Sequence, residues 1–173
     1  PRELVDHIRS GPAELVLDKP LRFRRRTRSN PCDFNEFLQA LQSSGTIRTV
    51  RCGSQLLLST SEDHWVLLVT ALGRIQDIQH LELFCTSGSR DFHPFQAVAD
   101  AVNNSHSLCK LKVITDVRSF TSYPSGLIAL ASALREHSAL QQFAWFDYGS
   151  QREQQDISLD PVLQALPACP HLQ

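Results

Sequence analysis

The stretch LIALASALREHSALQQFAW, Leu127 to Trp145, decides the fold, because its pattern returns along most of the chain. Leu127, Leu130, Ala131 and Leu134 stand at i, i+3, i+4 and i+7, which is one apolar stripe of an α-helix. Leu140, Phe143 and Trp145 follow as LxxLxL, and the last two share a face if the backbone is extended. The helical stripe recurs as Phe34, Phe37, Leu38, Leu41; as Trp65, Leu68, Val69, Leu72; as Phe95, Val98, Ala99, Val102; and as Leu159, Val162, Leu163, Leu166. The strand pattern recurs as Ile47, Val50, Cys52; as Ile78, Leu81, Leu83; and as Leu108, Leu111, Val113.

The spacing within each unit carries information of its own. From the last apolar residue of a helix to the first of the next strand pattern is always six residues, as from Leu41 to Ile47 and from Leu134 to Leu140. From strand to helix it ranges from 12 to 14, so insertions collect at one edge, as in a stack of β-loop-α modules. An alanine sits just before the last apolar residue of each helix (Ala40, Ala71, Ala101, Ala133, Ala165), where a small side chain allows neighbouring helices to approach.

A unit of 30 to 32 residues with LxxLxL leading into an amphipathic helix resembles the leucine-rich repeat, in its longer ribonuclease-inhibitor-like form. The resemblance covers Phe34 to Leu172. It departs from that family where an Asn or Cys usually follows the strand, since Gln55, Thr86, Asp116 and Tyr148 occupy those positions. The fold it implies is an α/β, right-handed β-α solenoid, a horseshoe with a parallel concave sheet and convex helices. The function it implies is protein binding.

The whole of 1–173 reads as one solenoid of about five units. Hydrophobic content of 42% and charged content of 20% are those of a globular chain, and a net charge of −1 exerts no global pull toward nucleic acid or anionic membrane. No apolar run approaches the ~18 residues of a membrane span. The five cysteines share no metal-ligand spacing, and Cys52 occupies a core strand position, which suits a reducing, cytoplasmic or nuclear compartment. Residues 1–33 form an irregular first unit. Leu15 and Leu17 match the inward positions of a further strand, whereas Leu4 to Ile8 fit the helical template poorly. At the other end Leu172 opens a pattern that is not completed, so a fragment lacking its C-terminal cap is expected.

Chemistry is sparse. There is no GxGxxG, Walker loop, HExxH or GxSxG, and the seven histidines have no ligand-like spacing, so neither catalytic nor cofactor or metal residues are assigned. The run RFRRRTR concentrates Arg22, Arg24, Arg25, Arg26 and Arg28, which would suit phosphate or nucleic acid; pairing with Glu14 and Asp18 in a solvated loop is the preferred reading. The candidate site is the strand face opposite the core. Alternation sends three columns there: Thr49, His80, Lys110, Gln142; then Arg51, Glu82, Lys112, Ala144; then Gly53, Phe84, Ile114, Phe146. Apolar Phe84, Ile114 and Phe146 amid charges have the make-up of a partner surface, unless the strand-to-helix loops fold over them.

The expected function is therefore a non-catalytic interaction scaffold, with Lys110 and Lys112 favouring an acidic protein partner. Other classes with this architecture are the sensor segment of a nucleotide-binding immune-type receptor, a ubiquitin-ligase substrate receptor and a leucine-rich-repeat GTPase regulator. Two local expectations test the register. Trp145 is buried and Phe146 is not, and Arg51, Glu82 and Lys112 form a charge ladder across adjacent strands.

Overall fold

The computed structural model describes residues 2–19, 21, 34–54, 56, 61–86, 94–116, 124–147 and 160–169. In chain order these form α1 (Arg2–Arg9), β1 (Glu14–Leu17), α2 (Phe34–Gln42), β2 (Thr49–Cys52), α3 (Glu62–Gly73), β3 (His80–Thr86), α4 (Pro94–Asn104), β4 (Lys110–Asp116), α5 (Pro124–Glu136), β5 (Gln142–Asp147) and α6 (Asp160–Ala165), with a 3-10 turn over Leu166–Ala168. The strands make one parallel sheet in the order β1-β2-β3-β4-β5. Each helix packs beside the previous one, so the crossovers repeat with one hand, as parallel connections require.

The register follows the repeat residue for residue. Val50 pairs with Leu81, Leu81 with Leu111 and Leu111 with Phe143, while Leu83, Val113 and Trp145 make the next row. These inward residues meet the helical stripes in one buried cluster running from Val5 to Cys169. Phe37, Leu41, Trp65, Leu68, Phe95 and Val98 are almost wholly withdrawn from water in it, and burying a side chain of that size contributes about 1.5–3 kcal/mol each.

The constant six-residue step has a structural counterpart in the helix-to-strand turns. The carbonyl of Ala13 accepts from the amides of Arg48 and Thr49, that of Arg48 from Gln79 and His80, that of Gln79 from Cys109 and Lys110, and that of Cys109 from Gln141 and Gln142. Each strand is thus hooked to its predecessor before pairing begins. One extra residue in such a turn would break the hook and shift the next strand by one, exchanging its two faces. Helix starts follow local chemistry. Ser61 caps α3 by accepting from the His64 amide at 3.3 Å, and prolines open α4 and α5, where the missing N–H costs nothing.

Several expectations need correction. Arg2–Arg9 is a helix despite its poor fit to the template, with Val5 and Ile8 buried. It uses a narrow stripe of i and i+3, enough for a helix whose main neighbour among the described residues is α2. Leu163 is not in the core; it is 56% exposed, while Val162 beside it is buried. Its equivalent Ala131 lies buried on α5, which has α4 on one flank and α6 on the other. The second flank of α6 carries no described helix. Trp145 points inward as expected and stacks on Phe95 with ring centroids 5.4 Å apart, but it is half-buried rather than buried, because β5 pairs with β4 on one side only among the described residues.

Candidate interaction surface on the open sheet face

The residues that alternate with the core positions emerge on the face opposite the helices. They stand in three rows across the sheet, set by the pairing register. The first runs Glu14, Thr49, His80, Lys110, Gln142, and the second Val16, Arg51, Glu82, Lys112, Ala144. The third places Phe84 beside Ile114 and Ile114 beside Phe146, with Gly53 at the end of β2. All nine residues singled out from the sequence, Arg51, His80, Glu82, Phe84, Lys110, Lys112, Ile114, Gln142 and Phe146, lie together on this face. Phe146 is 50% exposed, and Phe84 and Ile114 are half-buried. The strand-to-helix loops that would cover them, and the arginine run from Arg22 to Arg28, lie outside the described residues.

Electrostatics on the face differ from the expected ladder at one end. Lys112 Nζ reaches Glu82 Oε1 at 3.0 Å, as anticipated, and also sits 5.1 Å from the centroid of the Phe146 ring. Arg51 turns the other way and pairs with Glu14 Oε1 at 3.2 Å through Nε. The reason is local. Glu82 is already engaged by Lys112, while Glu14, one row away on β1, offers a carboxylate at a diagonal that a long guanidinium reaches easily. Sequence reasoning had placed Glu14 only near the arginine run. Its position opposite Thr49 was legible from the Leu15 and Leu17 match, had that match been extended one residue back.

Two depressions flank this charged row. One, of about 510 Å³, lies toward the strand starts and is lined by Thr49, Arg51, His80, Glu82, Lys110, Lys112 and Gln142, with Ala144 at its edge. The other, of about 530 Å³, lies toward the strand ends and is lined by Val16, Asp18, Arg51, Gly53, Ser54, Glu82, Phe84 and Ile114. Arg51 and Glu82 border both. In the first depression burial pushes the His80 imidazole below its ordinary pKa, and the adjacent Lys110 and Arg51 charges push it further the same way. Val16, 50% exposed, begins the charged row on β1 and adds an apolar side chain to the lining of the second depression; it was not singled out from the sequence.

Two cysteines on the inward side of the sheet are shielded. Burial drives the Cys52 thiol up to about 12, with Glu82 adding to the shift, and pushes Cys85 higher still. Among the described residues no group of three or more His, Cys, Asp or Glu is placed to hold a metal ion, and no helix is long and apolar enough to cross a membrane.

No family model matches the chain, and no curated protein matches it. Among solved structures the chain is similar to "Leiomodin-1 Actin-Binding Site 2 (ABS2)", with a TM-score of 0.60 at 12% identity, over 96% of this chain and 87% of the other. At that identity the likeness is one of fold. The molecule is thus an α/β protein built of successive β-α units on a five-stranded parallel sheet.

Proposed function

We propose that this chain is a non-catalytic protein-interaction scaffold of leucine-rich-repeat type, whose partner docks on the open, concave face of the sheet. One observation carries the reading. A parallel sheet is ordinarily covered on both faces, yet here helices pack on one face and the other presents an apolar row, Phe84, Ile114 and Phe146, beside a charged row. Apolar anchors with a polar surround are what protein interfaces are made of. The similarity to leiomodin-1 actin-binding site 2 supports a protein partner in general.

The test compares the wild-type chain with Phe84→Ala/Phe146→Ala in affinity capture from lysate and in cosedimentation with actin. Loss of the captured proteins in the double variant, with thermal stability nearly unchanged, supports the reading, because neither ring belongs to the fully buried core. If both chains recover the same proteins and neutralising Arg22, Arg24, Arg25, Arg26 and Arg28 abolishes capture, the arginine run is the site and the open sheet face is not.

A further inference from the structure

We infer that the open face receives an acidic-apolar protein segment, with one Asp or Glu carboxylate seated on Lys110, His80 and Gln142 and an apolar side chain placed on Phe84 and Ile114. This deepens the scaffold reading and rests on it. The charges decide the sign of the partner. Of the three permanent cations on the face, Arg51 is matched by Glu14 at 3.2 Å and Lys112 by Glu82 at 3.0 Å. Among the described residues Lys110 is the cation on this face without an ion pair, it is exposed, and it stands in register between His80 on β3 and Gln142 on β5. Those three side chains line one depression and supply an ammonium, an imidazole and an amide to a single anion. A carboxylate there accepts from all three without breaking either ion pair. A cationic side chain there would meet Lys110 and Arg51, and among the described residues the acid lining this depression, Glu82, is already paired with Lys112.

The charged row sets the spacing. Lys110 and Ile114 lie four residues apart on one strand, about 13 Å at ~3.3 Å per residue. A segment crossing both depressions therefore places its carboxylate and its apolar group about that far apart, with the Arg51–Glu82–Lys112 row beneath. Asp18 lines the apolar depression and excludes a second acid at that end. Docking also couples to pH. His80 faces Thr49 and Arg51 from β2 and Lys110 from β4, with Glu82 next along its own strand; burial first, and then the two cations, oppose its protonation in the free chain. A bound carboxylate reverses that bias, so the complex takes up a proton and tightens as pH falls through the His80 range.

The experiment selects random 12-residue peptides displayed on phage against the wild-type chain at pH 6 and pH 8, then measures affinities of the synthetic winners. The expected winners carry Asp or Glu together with an apolar residue and bind more tightly at pH 6. His80→Gln removes the pH dependence, Lys110→Gln weakens binding by up to about fivefold, the scale of one exposed charge pair, and Phe84→Ala weakens it without erasing the acidic preference. Winners that lose binding on Phe84→Ala but show no acidic bias, or are indifferent to Lys110→Gln and His80→Gln, overturn the inference and leave the scaffold reading standing. Winners indifferent to Phe84→Ala as well, or the absence of any winner, overturn both. Sedimentation of the chain alone is the control for self-docking: a dimer lost on Phe84→Ala would make a second copy the occupant and overturn the acidic-apolar segment.

Discussion

Single residues hold features that no pattern advertises. Gly73 ends α3 where a Cβ would fall 2.5 Å from the Ala101 Cα and 2.6 Å from its carbonyl oxygen, both backbone atoms of α4. Glycine to alanine inside a helix ordinarily gains up to ~1 kcal/mol. Here the clash is with backbone that cannot rotate away, so Gly73→Ala is expected to destabilise by about 1–3 kcal/mol, measured by urea unfolding. Cysteine reactivity should divide just as sharply. Cys52 and Cys85 are buried with thiols held far from ionisation, whereas Cys109 is partly exposed. A maleimide pulse on the native chain at pH 7.5, mapped by mass spectrometry, is expected to label Cys109 well before Cys52 or Cys85. His80 gives a pH signature. Its folded pKa lies below the ordinary 6.5, so its contribution to stability is full above about 6.5 and is lost as pH falls through the lowered value. His80→Gln should flatten that part of the stability-pH curve.

At the scale of elements, the sheet is stabilised by its inward rows and decorated by its outward ones. The Arg51–Glu14 and Lys112–Glu82 pairs bridge neighbouring strands, but their side chains are between 28% and 58% exposed. Each is then worth about 0–1 kcal/mol. Glu82→Gln should therefore leave the unfolding midpoint nearly unchanged, while Trp65→Ala, which empties a buried site between helices and sheet, should cost about 3–5 kcal/mol. The contrast, read by denaturant titration of both variants, separates what supports the units from what orients the surface. Trp145 illustrates the intermediate case. Its stacking on Phe95 places it inward like Leu83 and Val113, yet it keeps partial exposure because one strand edge beside it is open among the described residues.

Over the whole molecule, each unit contacts chiefly its neighbours in sequence, as in a one-dimensional stack. Strands β2, β3 and β4 are paired on both sides, and among the described residues β1 and β5 on one. Hydrogen exchange on this chain should find the slowest amides in Leu81–Leu83 and Leu111–Val113, with Leu15–Leu17 and Phe143–Trp145 exchanging sooner. Uniform protection across all five strands would mean that the stack opens only as one unit.

The repeat, the strand register and the identity of the two sheet faces were determined by the sequence alone. The physical reason is that LxxLxL and the i, i+3, i+4, i+7 stripe each allow one orientation to the core, and a shift of one residue would bury Arg51, Glu82 and Lys112. That is why His80, Lys110 and Gln142 could be set side by side, and Phe84, Ile114 and Phe146 likewise, from spacing alone. Tertiary structure decided what depends on reach and on neighbours. Arg51 chose Glu14 over Glu82 because side chains five or six bonds long select among several carboxylates by geometry, which strand pairing does not specify. Leu163 and Trp145 are wetter than their repeat equivalents because burial is set by what packs alongside, and the close approach of Gly73 to Ala101 arises only when two helices meet in space.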